Sequence, residues 1–242
     1  MKETKLRIFT VSLIVSLFFS FLVSLSVYLL KEKQDFNIKQ DRLKHILSLV
    51  DQKDLEMRIA LIDIKTGDYE FINSDTDFFK NFRLLSTDQT AIKIKKDEDI
   101  IGIGSHPSKM PAYLFLKNGN LERVVLFVYG NGLWSTMYGF IDISGDLNTI
   151  KGITFFDQKE TPGLGGEVDN PNWKKLWKGK KLFDEMGNFR FKVSKGIDEY
   201  SVDGLSGATM TTKGVNNIIK FWLGLNGYGK FLRKIKGNIH GN

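Results

Sequence analysis

The chain has 242 residues, 42% of them hydrophobic and 26% charged, with a formal net charge of +7, an ordinary globular composition. It contains no cysteine, four prolines and three histidines (His45, His106 and His240). Disulfides, thiolate metal sites, cysteine nucleophiles and cysteine-ligated iron–sulfur clusters are thereby excluded, and a multi-histidine metal centre or a Pro-rich stalk is disfavoured.

In chain order, the first feature is an uncharged run of 23 residues, Ile8–Leu30. As a helix it reaches roughly 34 Å, enough to cross a hydrocarbon core of about 30 Å. The apolar region of a cleaved signal peptide is about 7–15 residues long and ends at a small-residue site. This run is longer, and Tyr28-Leu29-Leu30-Lys31 offers no such site, so it reads as a membrane anchor. Lys2, Lys5 and Arg7 precede it with Glu3 as the one acid, whereas the charges that follow are balanced. The positive-inside rule then predicts residues 1–7 in the cytoplasm, a transmembrane helix over 8–30, and residues 31–242 outside, which in a bacterium is the periplasm. Ser12, Ser16, Ser20 and Ser24 recur every four residues and share one helical face. Such a stripe suits close packing against a neighbouring helix; the plainer reading is lipid-facing serine bonded to its own backbone.

Beyond the anchor, Gln34–Asp51 reads as a helix and Met57–Asp63 as an alternating strand. Ala112–Leu116 and Glu122–Tyr129 flank Asn118-Gly119-Asn120, a hairpin signal. Strands are also predicted at Trp134–Ile143, Ile150–Phe156 and Phe189–Val193. Asp169-Asn170-Pro171 reads as the start of a helix with Trp173, Leu176 and Trp177 on its apolar face and Gly179 as its stop. A second helix begins near Thr211-Thr212, read as its caps, and carries Val215, Ile218, Ile219, Trp222 and Leu223 as a stripe. Both tryptophans of the first helix are expected in the core, and His45 and His106 on the surface. Residues 213–242 carry six basic side chains and no acid. Behind an outward-facing anchor, such a tail suits anionic lipid or a protein partner rather than nucleic acid; a solvated tail is the plain alternative. The expected fold is α+β: one N-terminal transmembrane helix, then a single mainly antiparallel sheet domain with flanking helices.

Generic nucleotide, metalloprotease and hydrolase motifs are absent. Two glycine-rich segments remain. In the first, Asp203–Thr212, a turn and small residues lead into a helix N-terminus, which suits a phosphate or merely a cap. Its stretch Asp203-Gly204-Leu205-Ser206-Gly207-Ala208-Thr209 resembles the flavinylation motif D-x-x-[ST]-G-A-T of bacterial covalent FMN-binding domains. The resemblance implies that a dedicated flavin transferase uses FAD to join FMN, through its phosphate, to the hydroxyl of Thr209. Asp203, Ser206, Gly207 and Ala208 would then surround the attachment point.

The second segment, Glu160-Thr161-Pro162-Gly163-Leu164-Gly165, continues as Gly166-Glu167-Val168-Asp169-Asn170-Pro171-Asn172-Trp173. It is similar to the family of C subunits of Na⁺-translocating NADH:quinone reductases, and so is Tyr129–Ile141, containing Trp134 and Ser135. The related G subunits of Rnf-type ferredoxin:NAD⁺ oxidoreductases share its first six residues. From the residues alone, Pro162 and the glycines allow backbone to approach a planar ligand, or form a rigid turn. Glu160, Thr161, Leu164, Trp134 and Ser135 are the candidate flavin contacts. The resemblance implies an electron relay from NADH towards ubiquinone, coupled to Na⁺ export, in a hetero-oligomeric inner-membrane complex. No Asp, Glu, Lys, Arg or His interrupts the anchor, so no ion pathway is read in this chain. The rival readings are the Rnf-type subunit, an anchored non-catalytic binding module, and a secreted enzyme released by cleavage. Replacing all four stripe serines by leucine is expected to leave insertion intact and to abolish co-purification with membrane partners. Surviving co-purification would mark the serines as tolerated polarity.

Overall fold

In the computed structural model, residues 2–51, 54–196 and 198–240 are described. Residues 1, 52–53, 197 and 241–242, and the side chains of 2–4 and 237–240, lie outside that description, and with them parts of the expected cytoplasmic segment and basic tail, including the His240 ring. The chain divides into two units, Met1–Lys44 and His45–Asn242.

Helix α1 (Lys2–Val50) supplies the described residues of the first unit, and the stretch expected as a helix over Gln34–Asp51 is its C-terminal part up to Val50, not a second element. Its large apolar side chains from Leu6 to Leu30 are exposed, and the helix is long and apolar enough to cross a membrane. Such a surface suits a hydrocarbon environment, in which an α-helix satisfies its backbone hydrogen bonds internally. Thr10 and Ser26 donate their hydroxyls to the carbonyls of Leu6 and Leu22 at 2.9 and 2.8 Å, one turn back.

The second unit begins with the last turns of α1. There follow β1 (Glu56–Asp63), β2 (Tyr69–Ile72), α2 (Thr76–Leu85), β3 (Ile92–Lys93), β4 (Ser105–His106), β5 (Lys109–Lys117), β6 (Asn120–Asn131), β7 (Thr136–Ser144) and β8 (Ile150–Asp157). A 3₁₀ turn (Gly165–Asp169) then leads to α3 (Pro171–Lys175), β9 (Lys192–Val193), β10 (Ser201–Val202), α4 (Thr209–Leu223) and α5 (Gly229–His240). Six strands make one antiparallel sheet in the order β2-β1-β5-β6-β7-β8. The β5–β6 hairpin turns through Asn118 and Gly119, whose φ values of 51° and 83° match the twist of the paired strands.

Strand β6 is buried from Val124 to Gly130 and receives its cover from several sides. Trp222 of α4 donates its indole N–H to the Tyr129 carbonyl at 2.6 Å, and Tyr228 donates its hydroxyl to the Phe127 carbonyl at 2.9 Å. From α2, Phe79 and Phe82 meet Phe127 edge-on, with ring centres 5.0 and 5.8 Å apart. Arg123 ties the sheet to the end of α1: its guanidinium pairs with buried Asp142 and donates to the Leu49 carbonyl at 3.1 Å. Burial pushes the Asp142 carboxyl up to about 6, against the pull of Arg123.

Several expectations are corrected by this packing. The basic tail is not a solvated strand of charges, because Phe231, Leu232 and Ile235 of α5 are buried. Two of its lysines bond back to the domain: Lys230 to the Lys65 carbonyl at 2.7 Å and Lys234 to Asp68 at 2.6 Å. His106 is not on the surface; it is buried, with its ring 5.3 Å from that of Trp222, and burial holds its pKa below the usual value. His45 is half-buried beside Phe156. Strand β7 starts at Thr136 rather than Trp134, because the chain turns there. Only Lys192–Val193 of the expected strand over 189–193 is extended in a ladder, since Phe191 packs on Trp177 at 5.0 Å and Phe189 bridges to Phe183. Trp173 and Trp177 are in the core as expected, whereas Leu176 is exposed.

Gly67 shows how tightly α5 is seated. Its φ is +77°, and a Cβ there would lie 2.7 Å from the backbone carbonyl carbon of Lys230. Gly67→Ala is expected to destabilise the protein by about 2 kcal/mol through strain and overpacking. In a unit of this size that lowers Tm by roughly 4–8 °C, measurable by near-UV circular dichroism of the detergent-solubilised chain.

Candidate functional site

Three segments distant in sequence meet at one carboxylate. Glu160 follows β8 and is only 4% exposed. Its Oε1 accepts from the backbone N–H groups of Trp134 (2.9 Å) and Ser135 (3.2 Å) in the β6–β7 turn. Its Oε2 accepts from the Leu133 N–H (3.2 Å) and from the Thr211 hydroxyl (2.6 Å) in the first turn of α4. A buried carboxylate without donors would be strongly disfavoured, so these four contacts explain its placement. Burial raises the Glu160 pKa, but the Thr211 hydroxyl and the N–H groups of Trp134, Leu133 and Ser135 lower it by more, and the net value lies below the ordinary 4.5.

Glycine makes the meeting possible. A Cβ on Gly132 would lie 2.6 Å from Glu160 Oε1, and one on Gly165 would lie 2.4 Å from the Thr211 hydroxyl. The turn after β6 is closed by the Gly132 N–H donating to the Ser135 carbonyl at 2.8 Å, and Ser135 Oγ accepts from the Lys159 N–H at 2.8 Å. Thr161 contributes its carbonyl, which accepts from the N–H groups of Leu164 and Gly166 at 3.1 and 2.9 Å, while its side chain faces solvent.

The Asp203–Thr209 segment is fixed at its start and open at its end. The Asp203 carboxylate accepts from the Gly196 N–H at 3.1 Å, and its carbonyl accepts from the Trp173 indole N–H at 2.8 Å. The Leu205 N–H donates to Thr212 Oγ1 at 2.9 Å. Gly207 has φ +73°, and the position of its missing Cβ is 3.1 Å from a methyl of Leu164, so the two glycine-rich segments touch there. Ala208 is buried at the N-cap, and Ser206 and Thr209 are exposed. Thr211 and Thr212 therefore do not cap α4: one hydroxyl serves Glu160 and the other Leu205.

The start of α4 has no side-chain cap and no acid in its first turn, so its N–H groups and dipole end remain open to an anion. Around it lie exposed apolar side chains: Trp134 (71%), Met210 (55%), Leu133 (49%) and Leu164 (45%). A groove of about 360 Å³ lined by Leu147, Phe183, Phe189, Leu223 and Leu232 contains none of the residues just described. Among the described residues no three His, Asp or Glu side chains come together as a metal cage.

Residues 132–224 match the family model of the FMN-binding domain. Over 96% of its length the chain is 39% identical to the C subunit of the Na⁺-translocating NADH-quinone reductase of Haemophilus ducreyi, covering 95% of that protein. It is 40% identical to the corresponding C subunit of Neisseria meningitidis serogroup B, covering 93% of this chain and 92% of the other. The chain belongs to the family of C subunits of the Na⁺-translocating NADH-quinone reductases. The fold agrees: the crystal structure of Shewanella oneidensis NqrC superposes with a TM-score of 0.74 at 33% identity, over 83% of this chain and 99% of that one. As a flavoprotein of this family, the chain has residues that fit FMN. The open N-terminus of α4 suits its phosphate, Thr209 presents a hydroxyl that makes no hydrogen bond among the described residues, and Leu164 offers an apolar surface.

Trp134, Ser135, Glu160, Thr161 and Leu164 thus lie on the segments that gather around the Asp203–Thr209 loop, but in different roles. Leu164 and Trp134 face outward; Glu160 is turned inward and fully engaged. Thr211 was not legible as a functional residue from sequence, because nothing in its spacing reveals a partner 51 positions away.

The depressed Glu160 pKa sets a pH dependence. A carboxylate with a lowered folded-state pKa contributes stability that is complete above the unfolded value and is lost as pH falls through the folded one. The Tm difference between wild type and Glu160→Gln is therefore expected to be constant above about pH 5 and to shrink on acidification below 4.5. A gap independent of pH down to 3 would refute the assignment of the buried charge.

Proposed function

We propose that the chain is the membrane-anchored electron-transfer subunit of a Na⁺-translocating NADH:ubiquinone reductase, with FMN bound covalently by a phosphoester to Thr209. The observation that carries the reading is the Asp203–Thr209 motif ending in an exposed, unengaged threonine hydroxyl at the uncapped start of α4. Attachment balances as a phosphoryl transfer from FAD catalysed by a flavin transferase. The Thr209 oxygen bonds to the flavin-side phosphorus, the pyrophosphate bond breaks, AMP leaves, and the hydroxyl proton is lost.

Bound FMN supplies one- and two-electron chemistry. The protein's part is to present the hydroxyl, offer α4 N–H groups to the phosphate, and hold Leu164 and Trp134 where an isoalloxazine ring can rest. The charge flanks of the anchor favour a cytoplasmic N-terminus and a periplasmic domain over 31–242. There a covalent bond prevents loss of cofactor where no FMN pool exists. The other subunits of the reductase are the permanent partners, and the transferase is a transient one. With no Asp, Glu, Lys, Arg or His in Ile8–Leu30, the Na⁺ path is assigned to those other subunits.

Mass spectrometry of denatured protein from a host with an active transferase tests the assignment. The peptide containing Thr209 is expected to carry the mass of FMN less one water. Thr209→Ala is expected to remove it without loss of fold, since an exposed side chain is truncated. Flavin retained after denaturation of that variant would move the attachment site elsewhere.

A further inference from the structure

We propose that Glu160 is a positioning residue which, through Thr211, holds the first turn of α4 so that Thr209 is presented for modification. The inference rests on Thr209 being the attachment site, and it assigns the Glu-Thr-Pro-Gly-Leu-Gly segment a role in maturation instead of a direct Glu160–flavin contact.

Thr209 and Thr211 occupy the same first turn of α4, at its first and third residues. A helix start is ordinarily fixed by its cap, and Ala208 has no side chain to do this. The hold is supplied from outside by the 2.6 Å bond from the Thr211 hydroxyl to Glu160. Glu160 is in turn fixed by three backbone N–H groups of the β6–β7 turn. That turn is itself braced: the Asn131 side chain donates to the Gly102 carbonyl at 2.8 Å and accepts from the Thr136 hydroxyl at 2.9 Å. The route from the central sheet to the acceptor is therefore short: a strand end, three backbone N–H groups, one buried carboxylate and one hydroxyl.

The alternative, a carboxylate reaching out to the flavin, conflicts with its geometry. A carboxylate has about four acceptor positions, and Glu160 receives four donors while 4% exposed. No lone pair is left for a ligand lying on the outer surface. Gly132 and Gly165 close the space on either side, so the carboxylate cannot swing without displacing backbone.

The test is a time course of FMN attachment in the full-length chain, in membranes of a host whose transferase is induced after the chain has accumulated. Thr211→Val keeps shape and removes the hydroxyl; Thr211→Ser keeps the hydroxyl. Thr211→Val is expected to slow attachment at Thr209 about tenfold or more, as misplacement of a reacting group does, and Thr211→Ser is expected to attach near the wild-type rate. Before induction, amide exchange over residues 203–212 is expected to be faster in Thr211→Val while Tm stays within a few degrees. Glu160→Gln, once flavinylated, is expected to show the wild-type flavin absorption spectrum. Attachment by Thr211→Val at the wild-type rate, or a spectral shift confined to Glu160→Gln, would overturn the proposal. Wild-type protein lacking FMN on the Thr209 peptide would overturn instead the assignment on which it rests, and that result is read before any variant is compared.

Discussion

A carboxylate removed from water must be met by donors, and the positions of those donors constrain everything around it. Glu160 draws its donors from a β-turn and a helix start, separated from it by 25–27 and 51 residues. The loop carrying Glu160, the turn carrying Trp134 and the loop leading to Thr209 are therefore one structure. Among the described residues, the donors to this charge are neutral. The arrangement depends on direction and distance, not on an opposite charge that could be shared with other partners.

The frame behind this junction is the β6–α4 pair. Strand β6 ends in the turn that supplies three N–H groups, and α4 runs from Thr209 back to Trp222, whose indole is bonded to β6 at Tyr129. Near one end of α4 the tie is a buried indole hydrogen bond, and at the other it is the Thr211 hydroxyl. Glycines at 132 and 165 serve closeness of approach; the one at 207 serves a left-handed backbone.

Much of this was legible in the sequence where periodicity or turn chemistry is local. The Asn118-Gly119 hairpin, the Asn170 cap and the stripe of α4 follow from residue type and spacing. The motif at 203–209 likewise marks its own end. Elements whose signal is diluted were not legible. In α5 the buried Phe231, Leu232 and Ile235 are interspersed with three lysines and an arginine, so the charges mask an amphipathic helix that the fold recruits. In α2 the Phe-rich face is short and lacks a capping side chain. The burial of His106 depends on Phe221 and Trp222, more than a hundred positions away, and no local pattern announces it. Glu160 was singled out from its motif, yet the identity of its partners required the fold, since backbone N–H groups carry no sequence signature.

The openness of the surface around Thr209 has a consequence for how little affinity the site needs. A molecule joined by a single bond to a fixed pivot samples a small volume, where its effective concentration is on the order of millimolar. Contacts too feeble to retain a freely diffusing compound are then occupied most of the time. With the flavin joined at Thr209 as proposed, side chains as exposed as Trp134 and Leu164 would suffice as a resting place, and so shallow a seat would leave one face of a planar ring within reach of whatever approaches from solvent. A deep pocket would gain retention that the proposed bond would already provide and would lose that access.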